Sequence, residues 1–354
     1  IKSQLMSDFI LTLDKKSYNQ PNKCRGRMNV FKRPLSFLVH VFPQIVLITE
    51  MIVGLPGSIL ALWIFCFRLK VWKTHVFFLF NLLLADFLLL ASVPFRIDTH
   101  LRGGDWVFGR LWCSINLFML SVNRSASIAF MTVVALDRYF KVVHPHHCIN
   151  RISLIQARWL SALMWITVIL FQIPFLTTDT LHTNGNVSLC HTFLSYKVTP
   201  GAMKVHYVAF TAEFFLPWLL LLFCSFRIAS HLRQREMDKQ KRVRRAIQAV
   251  FVISAVFTFC FMPSVITGLL GLCFKAYHPL DCKSYNRIIR LFTLSIGLTY
   301  LKSALDPIIY IFSSAMFCAA LKNCGSTTVT PALQGSCGIA SFPHTICSLV
   351  LLQG

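Results

Sequence analysis

Residues 75–97 read HVFFLFNLLLADFLLLASVPFRI, an apolar run with one acid, Asp86, near its middle and one arginine, Arg96, near its end. A helix needs about 20 apolar residues to cross a hydrocarbon core ~30 Å thick, so this stretch is long enough to span a membrane. Six further runs of the same character lie at 41–67, 111–136, 155–178, 205–229, 246–273 and 288–313. Pro56, Pro94, Pro174, Pro217, Pro263 and Pro307 fall inside these runs. Lipid offers no partner for the backbone groups a proline frees, so neighbouring helices must supply them. The sequence therefore predicts an all-α membrane protein, a seven-transmembrane helix bundle over 41–313. Residues 1–40 read as an extracellular N-terminal segment and 314–354 as a short cytoplasmic tail.

Composition agrees: 55% of the 354 residues are hydrophobic and 14% charged, with a mean hydropathy of +0.62. That is too apolar for a soluble globule, whose charged share is about a quarter. The net charge of +22 resides in short segments between the apolar runs, which excludes nucleic acid as a partner and marks loops beside membrane lipid. Arg68, Lys70 and Lys73 follow the first run, Lys141 and Arg151 the third, and seven basic residues lie within 233–245. These loops are expected in the cytoplasm, with the N-terminus outside at a plasma membrane. Seven basic residues between Lys15 and Arg33 also make the N-terminal segment basic, which positive-inside reasoning alone does not predict. The first forty residues contain no apolar h-region, so the first span is expected to direct insertion.

Most of the 13 cysteines lie in or beside apolar runs. Asn186-Val187-Ser188 is a glycosylation sequon in a loop, whereas Asn123-Arg124-Ser125 lies inside a span and out of a transferase's reach. His144, His146 and His147 sit in a cytoplasmic loop, and no metal site is read there. The ionisable residues at mid-membrane, Asp86, Lys302 and Asp306, do not form a catalytic set, so neither enzyme activity nor a cofactor is expected. No internal repeat of the kind that builds transporters is visible.

An ionisable side chain inside a span is costly and is retained where a partner or a function holds it. Arg138 has Asp137 beside it. Arg124 lies 14 residues earlier, about 21 Å along a helix and deep within the bilayer. Its guanidinium needs an anion, either an internal carboxylate such as Glu213 or a ligand's carboxylate gripped bidentately, the reading we favour.

Asp137-Arg138-Tyr139 at the end of span three, Asp306-Pro307-Ile308-Ile309-Tyr310 at the end of span seven, Asp86 in span two and Trp165 in span four together resemble the rhodopsin-like G-protein-coupled receptors. Cys260-Phe261-Met262-Pro263 is similar to that class's sixth-helix hinge. The resemblance implies that Asp137, Arg138, Tyr139, Phe261, Pro263, Asp306, Pro307 and Tyr310 switch a heterotrimeric G protein. It also implies a Cys113–Cys190 disulfide, and Cys24 with Cys282 as a second candidate for which Cys273 competes. Cys318 and Cys324 are candidates for palmitoylation.

Leu117-Phe118-Met119-Leu120 with Asn123-Arg124, Val142-Val143-His144-Pro145-His146-His147, Glu213-Phe214-Phe215-Leu216-Pro217 and Leu298-Thr299-Tyr300-Leu301 look like the hydroxycarboxylic acid and oxoeicosanoid receptors. Pro94-Phe95-Arg96-Ile97-Asp98 is closer to the oxoeicosanoid branch. That resemblance implies a small anionic lipid or other carboxylate as ligand and an inhibitory G protein as partner. Arg124 falls at the carboxylate-anchoring position, with Tyr300 assisting. Arg96, Arg290 and His191 are further ligand contacts, and Arg102 and Arg287 lie near the mouth. A peptide or nucleotide ligand is the alternative. For Arg96 an ion pair with Asp98 or interfacial snorkelling is an equal reading, and Gly268 and Gly271 either leave room for an acyl chain or serve helix packing.

The class places a sodium ion among the first, second, third and seventh spans, where Asp86, Ser127 and Ser303 match. Ser58 replaces the usual asparagine, and Lys302 stands where the family has a neutral polar residue. Asp306 at i+4 and Asp86 are the expected counter-charges of Lys302, whose ammonium is expected to take the place of the sodium ion.

Overall fold

The computed structural model describes residues 34–68, 72–177, 181–184, 187–190, 201–235, 241–277 and 282–313. Its first helix, α1, joins two α-helical stretches, Pro34–Thr49 and Leu55–Trp63, each followed by a wide π-type turn, Glu50–Gly54 and Ile64–Arg68. It is followed by α2 (Thr74–Leu101), α3 (Gly109–Val143), α4 (Leu154–Gln172), α5 (Gly201–Arg235), α6 (Lys241–Tyr277) and α7 (Cys282–Ser313). Pro174–Thr177 adds a turn to α4, and β1 (Leu181–Asn184) pairs antiparallel with β2 (Val187–Cys190).

Each of the seven helices is long and apolar enough to cross a membrane. The expected bundle is therefore present, with one short hairpin as its only strand structure among the described residues. Most helix ends differ from the expected runs by a few residues, and two differ by seven. Helix α1 begins at Pro34 and not at 41, and α3 continues past 136 to Val143. The continuation follows from Asp137 and Lys141, which pair at i,i+4 across the last turns at 2.7 Å.

Proline explains much of the irregularity. Pro56 cannot donate a backbone hydrogen bond and its ring presses on the preceding turn, and α1 widens into its π-type turn just before it. In α6 the carbonyl of Cys260, three residues before Pro263, accepts the Thr299 hydroxyl of α7 at 3.2 Å. Close helix approaches use small residues. A Cβ on Gly57 would stand 3.1 Å from Pro307, and one on Gly268 would stand 3.3 Å from the Phe292 ring. Gly268 thus serves helix packing, the second of its two sequence readings.

Helices α2 and α3 bury 67% of their apolar windows and α4 only 24%, which puts α3 at the centre and α4 at the lipid-facing edge. The core joins Leu79, Leu82 and Leu83 of α2, Phe130, Met131 and Val134 of α3, Phe257 and Phe261 of α6 and Ile309 and Tyr310 of α7. Outward-facing apolar side chains such as Trp159 and Phe226 are what a helix presents to lipid. Gln172 ties α4 to α3 by accepting from Ser121 at 2.6 Å and donating to Ser125 at 2.8 Å.

Candidate functional site

The hairpin end of the bundle is closed from two sides. Cys113, at the start of α3, is disulfide-bonded to Cys190 of β2 with Cα atoms 5.6 Å apart, as the family resemblance implied. The Trp106 amide donates to the Ser188 carbonyl at 2.7 Å, and the Ser188 amide donates to Asp105 at 2.8 Å. Trp106 is buried against Phe108, and its indole donates to the Gly109 carbonyl at 2.8 Å. Gly109 has φ +77°, a left-handed conformation that glycine adopts without strain. Cys273, the competitor expected for the Cys24–Cys282 pair, is a free thiol.

Under this cover lie Arg124, singled out by its depth, and Arg96, near the end of its span. The Arg96 Nε donates to the Asn116 side chain at 2.6 Å, Asn116 donates onward to the Ser92 carbonyl at 3.0 Å, and the guanidinium sits 5.9 Å from the Trp106 ring centroid. Its Nη2 is buried without a hydrogen-bond partner. The alternative pairing with Asp98 is overturned, because Asp98 is engaged by Arg102 at 2.7 Å on the exposed last turn of α2. That contact holds the Arg102 guanidinium above its ordinary pKa.

Arg124 lies 3.6 Å from Glu213 of α5, so the internal carboxylate weighed against a ligand is in place. Tyr300 of α7 is buried beside Leu89, Val93 and Ile97 of α2. Arg290 is half-buried near the start of α7. His191, Asn186 and Cys24 lie outside the described residues, as does the side chain of Cys282.

Deeper in the bundle a second polar cluster is built around Lys302. The fully buried Nζ donates to Asp86 Oδ1 at 2.6 Å and to Ser127 Oγ at 2.8 Å, and pairs with Asp306 Oδ2 at 2.5 Å. Ser303 and Tyr310 add hydroxyl donors to the two Asp86 oxygens at 3.0 and 3.1 Å. Ser58 is buried in α1 and takes no part in these bonds among the described residues. Asn123, the inaccessible sequon residue, is buried and donates to the Ala85 carbonyl at 2.8 Å.

At the far end of α3, Asp137 is held by Lys141 and not by Arg138. Arg138 Nη2 instead donates to the Ser313 carbonyl, the last described residue of α7, at 2.7 Å. The i,i+4 register aims Lys141 at Asp137, while Arg138 points across the bundle. Tyr139 is buried, with its hydroxyl 3.2 Å from His144 Nε2. Phe261 packs edge-on against Phe257, which stacks on Phe214 of α5.

Sequence reasoning passed over Trp106, Asn116 and Glu50. Glu50 is an acid inside the first span and the same intramembrane rule could have flagged it. Trp106 and Asn116 carry no such signal, since their importance comes from contacts made across the fold.

The chain matches the 7 transmembrane receptor (rhodopsin family) over residues 57–310. It is 42% identical to the human hydroxycarboxylic acid receptor 2 over 332 residues, covering 93% of this chain and 85% of that protein. It is 39% identical to the human oxoeicosanoid receptor 1, covering 80% and 72%. It is 38% identical to the mouse 12-(S)-hydroxy-5,8,10,14-eicosatetraenoic acid receptor, covering 80% and 88%. Seven spans, a disulfide-tethered hairpin and a polar core joining α2, α3 and α7 thus coincide with the sequence match, and the chain belongs to the rhodopsin family of seven-transmembrane receptors, in the group of the hydroxycarboxylic acid and oxoeicosanoid receptors.

Proposed function

We propose that this receptor sits in the plasma membrane with its N-terminus outside, senses a carboxylate lipid and signals through an inhibitory heterotrimeric G protein. The ligand class is an oxo- or hydroxy-fatty acid or a related hydroxycarboxylic acid. The observation that carries the reading is Arg96, whose guanidinium keeps a buried nitrogen without a hydrogen-bond partner and makes no ion pair among the described residues. Such a cation is costly to bury and is balanced when an anion arrives. A carboxylate suits it because a guanidinium presents two parallel donors to two oxygens.

Arg124 and Tyr300 extend the polar surface downward, with Arg124 passing from Glu213 to the ligand. Arg290 is a further contact from α7. The Cys113–Cys190 hairpin covers the pocket and shields these charges from water, which strengthens them. At the other end Arg138, bonded to the end of α7, is the group released to the G protein when α6 and α7 move about Pro263 and Pro307.

The test is a cAMP-inhibition screen of saturated, hydroxy and oxo fatty acids in cells expressing the receptor, with and without pertussis toxin. A toxin-sensitive response that Arg96→Ala and Arg124→Ala weaken at unchanged surface expression is the expected outcome. No toxin-sensitive response to any of these acids would overturn the ligand and coupling classes.

A further inference from the structure

The deep polar cluster raises a charge question separate from the ligand pocket. Receptors of this class place a sodium ion among these helices, and the groups around Lys302 show whether this chain can do the same. Of its three N–H donors the Lys302 ammonium directs hydrogen bonds to Asp86 of α2 and Ser127 of α3, and it is ion-paired with Asp306 of its own helix α7. Asp86 is engaged in turn, since Oδ1 accepts from Lys302 and Ser303 and Oδ2 accepts from Tyr310. The Asp86 oxygens that would coordinate a free cation therefore face hydrogen-bond donors, and Asp306 faces the ammonium itself. The residues present do not fit sodium.

We propose that Lys302 is a covalently tethered counter-ion, which fills the sodium position and ties α2, α3 and α7 together in the resting receptor, so that resting stability and basal signalling do not respond to sodium. A diffusible ion leaves by mass action when its concentration falls, whereas an ammonium on α7 stays at fixed effective concentration. Tyr310 donates to the same Asp86 that Lys302 grips, so displacement of the lower part of α7 breaks both contacts together. The tie is thus placed to resist switching. Glu50 and Asp306 are the nearby groups that could still recruit a cation, because both are buried and neither has a hydrogen bond to its carboxylate oxygens; Asp306 is already ion-paired with the Lys302 ammonium, whereas Glu50 has no such partner among the described residues.

Two readouts on the purified full-length receptor decide the matter without any ligand, so they stand apart from the ligand-class reading. The first is thermal unfolding in detergent, with sodium chloride replaced stepwise by N-methyl-D-glucamine chloride at constant ionic strength. The second is basal guanine-nucleotide exchange on an inhibitory G protein in the same two salts. Wild-type receptor is expected to unfold at the same temperature and exchange at the same rate in both. Lys302→Asn is expected to gain sodium dependence, with Tm rising by roughly 3–5 °C per tenfold sodium and basal exchange falling as sodium is added.

A sodium-dependent wild type overturns the proposal, whether the ion binds at Asp86 or at Glu50. A Lys302→Asn protein as indifferent to sodium as the wild type also overturns it, since the lysine would then not be what excludes the ion. Should Lys302→Asn fail to fold, Lys302→Ser takes its place and is judged by the same criteria, with the wild-type titration decisive by itself.

Discussion

The two buried cationic regions of this bundle solve the same electrostatic problem in opposite ways. Around Lys302 the protein supplies two hydrogen-bond acceptors, Asp86 and Ser127, and a second carboxylate, Asp306, as ion-pair partner, and the group is sealed from solvent. Around Arg96 it supplies one amide oxygen and an aromatic face, and leaves a guanidinium nitrogen unmatched. Arg124 is intermediate, with an acid at 3.6 Å, beyond good hydrogen-bond distance. Burying an uncompensated charge costs several kcal/mol, so completeness of pairing separates a structural charge from one that waits for a ligand.

The largest effect is expected from removing the saturated charge. Lys302→Met leaves Asp86 and Asp306 buried without their cation, and losing one member of a buried ion pair should lower Tm on the order of 10 °C. The double change Lys302→Met with Asp86→Asn should regain part of that loss, because one buried carboxylate and not two is then left without a cation. A single variant as stable as wild type in a thermal-shift assay would break the comparison.

Next comes the unmatched charge. Arg96→Ala should raise the half-maximal concentration of the most potent fatty acid in the cAMP assay by about 10- to 100-fold, the worth of a charge-assisted hydrogen bond to a carboxylate. Its Tm should change far less than that of Lys302→Met. Equal Tm losses in the two variants would show that Arg96 is as structural as Lys302.

A smaller change of opposite sign is expected from Glu213→Gln. Removing the acid beside Arg124 removes one competitor of the ligand's carboxylate, and potency should improve by about 3- to 5-fold, a modest gain because the pair is partly exposed and loosely spaced. Weaker binding would mean that Glu213 positions Arg124 more than it competes for it. The smallest effect belongs to the exposed pair outside the pocket. Arg102→Ala should leave both Tm and potency unchanged within error, since water already solvates the guanidinium.

Much of the fold was legible because lipid imposes a simple rule. Each helix must be long and apolar enough to cross, and the runs read from 41–67 to 288–313 reappear as α1 to α7 with ends moved by a few residues. The buried ionisable residues were legible by the same rule, since Asp86, Arg96, Arg124 and Lys302 stand out in an apolar background. Their partners were harder to read. The i,i+4 spacing pointed to Asp306 for Lys302, but the same spacing gave Asp137 to Lys141, and Arg138 turned instead to a carbonyl 175 residues away. Ser127 became a partner of Lys302 only because α3 passes beside α7, again 175 residues apart along the chain.

The sequence by itself determined the seven spans, the family to which the chain belongs, and the presence of unusual charges at two depths. Those follow from local properties, namely apolar length, motif order and the cost of an ionisable group in lipid. Only the tertiary structure decided which charges are satisfied, because pairing depends on which helices touch and on where side chains a hundred or more residues apart meet. That is why Lys302 is held between two carboxylates and sealed from solvent while Arg96, no less conspicuous in the sequence, still has a donor to offer.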